Sequence, residues 1–463
     1  MLTTIFKKLH QILIFVLLVL LSTLSTVTLA GNVILIIGDG MDDNQIAIAR
    51  NYLVGSGNKL IMDQLPQRSA VQVLGVDEED PNKVVYVADS ANSATSIATG
   101  IITSPGRIGT SAGSDEDALN IIEILKAYGL KVGLVTTSSI TDATPASFFA
   151  HVNDRGCENP SMMVEAEVYA GIIADCSQDL KANGGLGSIS EQLIDMDVDV
   201  ALGGGMEHFT PLVENSNLSV LEYANESGYF IVDEEKDLQG ISNAKVLGLF
   251  SPDTMPVRWR GEDDRAAEKP NTSFLNMLHP LLGSVTYPKV MDCEDNPAHS
   301  GMPSLGVMTK SAIELLSADG SDFFLMVESA SIDKQAHERK ACGSIGELQQ
   351  LEESLYVALN FAEEEPETLI LVTADHGHAA QILAERTIYE SVDLPIHTPG
   401  YVARLRTPEG SIMTVNYATN NFVSEEHTGV HVPLMSNLRD VRGLASTINQ
   451  PDIFHIIKDY LIE

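Results

Sequence analysis

The chain has few basic residues for its length. Its 28 lysines and arginines stand against 64 aspartates and glutamates, which gives a formal net charge of −36. A surface this acidic repels nucleic acid and anionic membranes, so we expect neither as a specific partner. Most of the carboxylates are expected to form a solvated surface, and a minority could bind metal cations.

Long hydrophobic runs are also missing, apart from the first thirty residues. There, Lys7 and Lys8 precede an apolar block at 12–21 and a small-residue exit that ends at Ala30. This is the pattern of a secretory signal peptide, and the block is short against the roughly 20 residues that cross a bilayer. We predict cleavage after Ala30, with an uncleaved anchor as the alternative. The mature chain, 31–463, is then expected in the periplasm or secreted, without a membrane segment.

Cysteine is scarce, and none of the four cysteines has the C-x-x-C spacing of a zinc site. An even number after a secretion signal predicts two disulfides, for which three connectivities are possible. Proximity along the chain favours Cys157 with Cys176, which leaves Cys293 with Cys342.

Short apolar runs that end in polar residues recur along the chain. They cover residues 32–40, 84–90, 131–139, 323–329 and 368–378. Runs of this length are typical of strands buried on both faces. Helical patterns lie between them, at 116–129, 309–320 and 345–365. This alternation predicts an α/β fold, doubly wound, with a mostly parallel central sheet and helices on both faces.

The stretch at roughly 206–305 is less regular than the rest. It combines proline, glycine and charge runs with the single tryptophan, Trp259. We interpret it as an irregular insertion in one catalytic domain, 31–463, rather than as a second catalytic unit.

Residues suited to catalysis follow the predicted strands. They are Asp39, Ser90, Asp142, Glu328, Asp375 and His376. In open α/β sheets the ligand site lies beyond the carboxyl ends of the strands. We therefore expect these distant segments to converge on one site.

Six residues offer oxygen and nitrogen ligands without a thiolate. They are Asp39, Asp333, His337, Asp375, His376 and His427. Each alone has an ordinary alternative, such as a solvated helix pair, a turn, a helix cap or a surface histidine. Together they suit two zinc ions about 4 Å apart, because a catalytic zinc takes about three protein ligands and keeps one position open.

Three further side chains offer hard oxygen ligands, which match magnesium. They are Glu328, Asp142 and the hydroxyl of Thr144. Arg155 could present two parallel donors to phosphate oxygens, although in isolation a surface arginine is the simpler interpretation. Ser90 precedes a small-residue helix, where free N–H groups and the helix dipole favour negative charge. It is interpreted both as a nucleophile and as the cap of that helix.

Six blocks of the sequence resemble those of the alkaline phosphatase family, in the family's order. They are GDGM at 38–41, DSANSATSIATG at 89–100, TDATPASFFAHVNDR at 141–155, VESASIDKQAH at 327–337, TADHGHA at 373–379 and EHTG at 426–429. The resemblance implies a zinc- and magnesium-dependent phosphoric monoester hydrolase, active at alkaline pH on small-molecule phosphate monoesters. It is closest to the bacterial form, because Asp142 and Lys334 occur there together and the cysteine positions match that form's two disulfides.

Site roles also follow from the resemblance. Ser90 would be the nucleophile that forms a phosphoserine intermediate and releases inorganic phosphate. One zinc would be held by Asp333, His337 and His427, and the other by Asp39, Asp375 and His376. Magnesium would be held by Asp39, Asp142, Thr144 and Glu328. Arg155 would hold the phosphate and would itself be oriented by Asp89. Lys334 would reach the phosphate through water.

The resemblance also implies a homodimer. Only residues 31–38 precede Asp39 in the predicted mature chain, so an N-terminal arm that embraces the partner subunit is not expected. Two alternatives to a phosphomonoesterase are a diesterase or sulfatase on the same scaffold, and a metal- or phosphate-binding protein without activity. Ser90 is followed by Ala91 and Asn92, which does not match the x-Pro-Ser-Arg pattern of a sulfatase.

Overall fold

A computed structural model describes most of the chain after the predicted signal peptide. The described residues are 31–169, 172–242, 244–279, 282–386 and 398–462. The predicted signal peptide, 1–30, lies outside them. Among the described residues, no helix combines the length and apolar character needed to cross a bilayer.

The central sheet has ten strands. In chain order they are β1 (Val33–Gly38), β2 (Gln67–Gln72), β3 (Lys131–Ser139), β4 (Val200–Gly204), β5 (Tyr229–Val232), β6 (Lys245–Leu249), β7 (Phe323–Ser329), β8 (Leu369–Ala374), β9 (Val432–Ser436) and β10 (Thr447–Asn449). Across the sheet they run β10-β2-β9-β8-β1-β7-β3-β4-β6-β5. Seven of the neighbouring pairs are parallel. Only β9 runs antiparallel to its neighbours β8 and β2, so the prediction of a mostly parallel sheet is confirmed.

Ten α-helices surround this sheet in the described residues. They are α1 (Asp43–Leu53), α2 (Ser90–Thr99), α3 (Ile121–Ala127), α4 (Ala143–Ala146), α5 (Ile189–Asp195), α6 (Val220–Glu226), α7 (Leu305–Ser317), α8 (Ser331–His337), α9 (Ala341–Glu364) and α10 (Asp452–Ile462). All six residues of β1 are buried, as expected for a strand covered by helices on both faces. The helix expected at 116–129 begins later, because the Asn120 side chain caps α3 by accepting a hydrogen bond from the Glu123 N–H.

Short strands outside the central sheet form small antiparallel units. They are Gly75–Val76 with Val84–Val85, Ala166–Tyr169 with Ile172–Ala174, Trp259–Gly261 with Cys293–Asp295, Asn271–Thr272 with Val285–Thr286, and Gln381–Leu383 with Ile412–Tyr417 and Tyr401–Arg406.

One strand prediction was wrong. Residues 84–90 do not form a buried strand of the central sheet, because only Val84 and Val85 pair, in an outer hairpin. The side chain of Tyr86 is 72 % exposed. The backbone of this segment instead supports a neighbouring loop, since the Ala88 carbonyl accepts a hydrogen bond from His427 Nδ1. Ser90 therefore reaches the site at the start of α2, not at the end of a sheet strand.

The segment predicted as an insertion contributes to the core. Residues 206–305 contain β5 and β6, which form one edge of the central sheet. Besides β5, β6, α6 and the first residue of α7, the described residues of this segment form only short strand pairs, 3-10 turns and loops. A disulfide between Cys293 and Cys342 ties it to α9, and a second joins Cys157 to Cys176. Both pairings are those favoured by proximity along the chain.

Candidate active site

The site forms at the carboxyl ends of the central strands. Gly38 at the end of β1 pairs with Ser329 of β7 on one side and with Ala374 of β8 on the other. Asp39 and Asp375, which follow β1 and β8, therefore lie side by side. Gly40 donates its N–H to Asp375 Oδ1 at 3.0 Å. Gly40 has a φ of +66°, and a Cβ added to it would lie 3.2 Å from Asp333. Both features favour glycine at this position.

Asp333, His337 and His427 come together as one group. The short helix α8 follows β7 directly and places Asp333 Oδ2 3.3 Å from His337 Nε2. The loop before β9 brings His427 Nε2 to 3.3 Å from Asp333 Oδ1. These three residues and His378 offer ligand atoms that all lie within 4.8 Å of one another.

Hydrogen bonds determine which histidine nitrogens face the centre of this group. His337 Nδ1 donates to the Glu425 carbonyl, and His427 Nδ1 donates to the Ala88 carbonyl at 2.8 Å. In the neutral rings, both Nε2 lone pairs then face each other at 3.1 Å. Two lone pairs and a buried carboxylate at such distances repel unless a cation lies between them, so this group fits a divalent metal.

His378 has a different role, although its ring is part of the same group. Its Nδ1 accepts a hydrogen bond from the Ala379 N–H at 2.6 Å. The proton of the neutral ring is therefore on Nε2, which lies 3.2 Å from Asp333 Oδ1. A protonated nitrogen cannot ligate a metal, so His378 orients Asp333 from behind. The sequence placed His378 in the block at 373–379 but predicted no role for it.

Asp39, Asp375 and His376 form a second buried group. His376 Nδ1 faces the Gly377 carbonyl at 3.3 Å, which directs the lone pair of Nε2 at Asp375 Oδ2, 3.3 Å away, and at Asp39 Oδ1, 3.4 Å away. Burial lowers the pKa of His376 to about 3 and raises that of Asp375 to about 6. Burial and the nearby carboxylates also raise the pKa of Asp39. A cation would relieve each of these costs, so the second group fits a metal as well.

Ser90 lies at the edge of the second group. Its Oγ is 3.1 Å from His376 Nε2 and 3.5 Å from Asp39 Oδ1. The prediction that Ser90 caps the helix was wrong. Ser90 is the first residue of α2, and Asp89 caps that helix by accepting a hydrogen bond from the Asn92 N–H at 3.0 Å. The hydroxyl therefore points at the metal-type ligands from a helix N-terminus, where developing negative charge is stabilised.

Two cations converge on Asp142. Arg155 Nη2 lies 2.9 Å from Asp142 Oδ1, and Lys334 Nζ lies 2.6 Å from Asp142 Oδ2. Arg155 Nη1 also lies 3.4 Å from Asp89 Oδ2. Burial acts against ionisation, but Lys334 and Arg155 hold the pKa of the Asp142 carboxyl well below its usual range. The guanidinium is thus held from two sides by carboxylates, beside Ser90.

Glu328 and Thr144 provide oxygen atoms behind the second group. Burial and the neighbouring Asp142 raise the pKa of Glu328 to about 7, while Thr136 donates a hydrogen bond to this carboxylate. Thr144 Oγ1 is buried and makes no hydrogen bond within the part of the chain that the structure describes. A buried hydroxyl without a hydrogen-bond partner, next to a carboxylate whose ionised form is destabilised by burial, fits a hard cation such as magnesium.

The fold and the site together define a metal-dependent hydrolase on a doubly wound α/β scaffold, with a serine hydroxyl beside two buried cation sites. The chain belongs to the alkaline phosphatase family, whose model matches residues 30–461. It is therefore a phosphomonoesterase that acts on phosphate monoesters, and its two groups of aspartate and histidine ligands fit metal ions.

Two curated relatives cover most of the chain. Alkaline phosphatase of Escherichia coli K12 is 37 % identical over 438 residues, which are 93 % of this chain and 85 % of that protein. Streptomycin-6-phosphate phosphatase of Streptomyces griseus is 38 % identical over 90 % of this chain and 87 % of that protein.

Solved structures show the same fold. Alkaline phosphatase of the Antarctic bacterium TAB5 matches with a TM-score of 0.64 at 23 % identity, over 94 % of this chain and 99 % of that one. The Thermus thermophilus enzyme matches with a TM-score of 0.65 at 19 % identity, over 95 % of this chain and 94 % of that one. A variant of the TAB5 protein has magnesium bound.

Zinc binding is expected to strengthen as the pH rises to about 9. In the metal-free protein, burial lowers the pKa of His427 but the Asp333 carboxylate raises it to about 9, so a proton occupies the nitrogen that a bound metal ion would need. Because the folded-state pKa is raised, this proton stabilises the metal-free protein fully below about pH 6.5, and that contribution disappears as the pH rises through about 9.

We expect the apparent zinc association constant to increase by up to about tenfold per pH unit between about pH 7 and about pH 9. Competition titrations with a chelating dye at several pH values measure this slope. A zinc affinity that stays constant over this interval contradicts the assignment of His427 as a ligand that must lose a proton.

Proposed function

We propose that the chain hydrolyses phosphate monoesters through a phosphoserine on Ser90, with two zinc ions and one magnesium ion. The observation that carries this proposal is the position of Ser90 Oγ, which lies at the start of α2 and 3.1 Å from Nε2 of His376, a member of the second group of ligands. Fold membership alone does not assign a mechanism, so the proposal depends on this geometry.

Three sets of residues would each bind one metal ion. Asp333, His337 and His427 would bind one zinc ion, and Asp39, Asp375 and His376 the other. Asp39, Asp142, Thr144 and Glu328 would bind magnesium, in part through water because both Asp142 oxygens already pair with Arg155 and Lys334. When bound, such ions lower the pKa of a hydroxyl or a water and neutralise a leaving alkoxide.

The chain's own residues perform two displacements at phosphorus. Ser90 Oγ first forms a bond to phosphorus while the bond to the ester oxygen breaks, and the alcohol leaves. Water then attacks phosphoserine from the side that the alcohol vacated, the Ser90 bond to phosphorus breaks, and inorganic phosphate is released. Arg155, held by Asp142 and Asp89, is positioned to donate to two phosphoryl oxygens in both steps, which stabilises their charge.

The family resemblance supports further proposals about the whole protein. We propose that the chain is made with a cleavable signal peptide, 1–30, and that 31–463 folds as a single domain. We also propose that it is exported to the periplasm or secreted and forms a homodimer. The two disulfides support an oxidising compartment, where such bonds persist.

A phosphatase of restricted substrate range is a second candidate. It is favoured by the Streptomyces griseus relative, which is named for one phosphorylated substrate and is as similar to this chain as the Escherichia coli enzyme. The two candidates share one reaction and differ only in how strongly the alcohol part of the ester is recognised.

Removal of metal tests the proposed function. Turnover of p-nitrophenyl phosphate is expected at about pH 8 to about pH 10, to disappear after exhaustive treatment with EDTA, and to return only when zinc and magnesium are added. Bis(p-nitrophenyl) phosphate and p-nitrophenyl sulfate serve as controls and should be turned over far more slowly. Activity that survives complete chelation contradicts the three-metal proposal, and preference for the diester or sulfate contradicts the monoester assignment.

A further inference from the structure

We propose that the active site favours phosphate monoesters whose alcohol part carries a positive charge. The inference deepens the proposed function and rests on it. It comes from a cavity of about 610 Å³ whose lining includes Arg155 and Lys334, the two cations that pair with Asp142. As part of this proposal, we place the alcohol part of an ester held by Arg155 toward this cavity, so that the cavity walls contribute to substrate choice.

The walls carry more negative than positive charge. Four carboxylates line the cavity, from Asp142, Asp154, Glu158 and Asp253, against the cations of Arg155 and Lys334. Both cations pair with Asp142. In the described part of the chain, no lysine or arginine lies within 4 Å of the carboxylate oxygens of the other three. Burial raises the pKa of Asp154 and Glu158, and once these carboxylates are ionised no paired lysine or arginine among the described residues offsets their charge.

His208 also leaves this charge uncompensated. Asn159 Oδ1 accepts hydrogen bonds from Ser161, so the Asn159 amide nitrogen must be the donor to His208 Nδ1, at 3.0 Å. An accepting Nδ1 means that the ring is neutral and that its proton is on Nε2. This nitrogen points at the cavity wall, 3.2 Å from Glu158 Oε2 and 4.0 Å from Asp253 Oδ1.

The orientation of His208 also distinguishes between ligands. The side chain is only 6 % exposed, and Nε2 makes no hydrogen bond to any described residue. Because this nitrogen carries a proton, it cannot ligate a metal ion. The group that suits three carboxylates beside an N–H donor is an organic ammonium or guanidinium on the substrate, which the carboxylates attract without coordination.

Two substrates of equal shape isolate the effect of charge. Phosphocholine has a quaternary ammonium where 3,3-dimethylbutyl phosphate has a neutral quaternary carbon. The ratio of their kcat/KM values cancels every effect common to both esters. We expect phosphocholine to be favoured by about fivefold at low ionic strength, the upper range for partly exposed charge pairs, and the ratio to fall as salt is added.

Single substitutions locate the effect. Glu158→Gln and Asp253→Asn are each expected to lower the ratio by about twofold to about fivefold. Asp253 is the safer variant for folding, since its side chain is 62 % exposed whereas Glu158 accepts a hydrogen bond from the Thr141 hydroxyl. Glu363→Gln is the matched control, because this exposed residue lies at the far end of α9, before β8 begins, and should leave the ratio unchanged.

The outcomes separate this inference from the proposed function. Metal-dependent hydrolysis of both esters with a ratio near one overturns the charge preference and leaves the proposed function standing. A ratio that neither cavity variant lowers, or that Glu363→Gln lowers equally, also overturns it. Failure to hydrolyse either ester overturns the proposed function and this inference together.

Discussion

A Ser90→Ala variant is expected to lose at least about a thousandfold in kcat on p-nitrophenyl phosphate, with its fold intact. Ser90 Oγ is the hydroxyl placed 3.1 Å from His376 Nε2, and the residue is 4 % exposed at the first position of α2. Without this oxygen the covalent intermediate cannot form, so only direct attack by water on the ester would remain.

Steady-state turnover and acid-quenched labelling with radioactive phosphate measure the two parts of this prediction. The wild-type chain should retain label on serine after the quench, and the variant should retain none. Ser96→Ala is the matched control, because Ser96 is buried on the same helix and donates only to the Asn92 carbonyl. A Ser90→Ala variant that keeps wild-type turnover, or a Ser96→Ala variant that loses it equally, would rule out Ser90 as the nucleophile.

An Arg339→Met variant is expected to lose about 3 to 5 kcal/mol of folding stability and to bind zinc about tenfold to about a hundredfold more weakly. Arg339 Nε donates to Glu425 Oε1 at 2.8 Å, and the two side chains are only 8 % and 0 % exposed. Removal of the arginine leaves the buried Glu425 carboxylate without its cationic partner, although Oε2 still accepts a hydrogen bond from the Thr419 N–H at 3.0 Å. Removing only one charge of a buried pair is the more destabilising way to break it.

The effect on zinc affinity follows from the two chain segments that this ion pair holds together. Arg339 lies just after α8, which carries Asp333 and His337, and its Nη2 also donates to the Phe422 carbonyl at 2.7 Å. Glu425 is two residues before His427, and its carbonyl accepts from His337 Nδ1. The pair therefore joins the two segments whose histidines face each other, and its loss should let them move apart.

Thermal unfolding and competition titration with a zinc-binding dye measure stability and affinity separately. The double variant Arg339→Met with Glu425→Met removes both charges and should recover most of the lost stability, because no charge is left buried. A single variant that melts and binds zinc like the wild-type chain would show that the pair does not support the site. The sequence does not predict this ion pair, because Arg339 and Glu425 are far apart in the chain and belong to no motif.

Several features of this protein were determined by the sequence alone. The runs at 32–40, 131–139, 323–329 and 368–378 became β1, β3, β7 and β8, because a strand buried on both faces must be apolar along its whole length. The disulfide partners followed from proximity. The chemical types needed for metal binding also stood in the chain in recognisable blocks, and the family was identified from them.

The tertiary structure decided what those residues face. The apolar run at 84–90 stays outside the central sheet, where its backbone supports the loop of His427, although its composition is that of a strand. The tautomers of His337 and His427 depend on carbonyls from other segments, whereas that of His378 depends on the N–H of the adjacent Ala379. The charge of the cavity beside Arg155 likewise depends on residues from several chain segments. Composition and periodicity act over a few residues, whereas the carbonyl contacts of His337 and His427 join residues 88 and 339 positions apart, so only the folded chain specifies them.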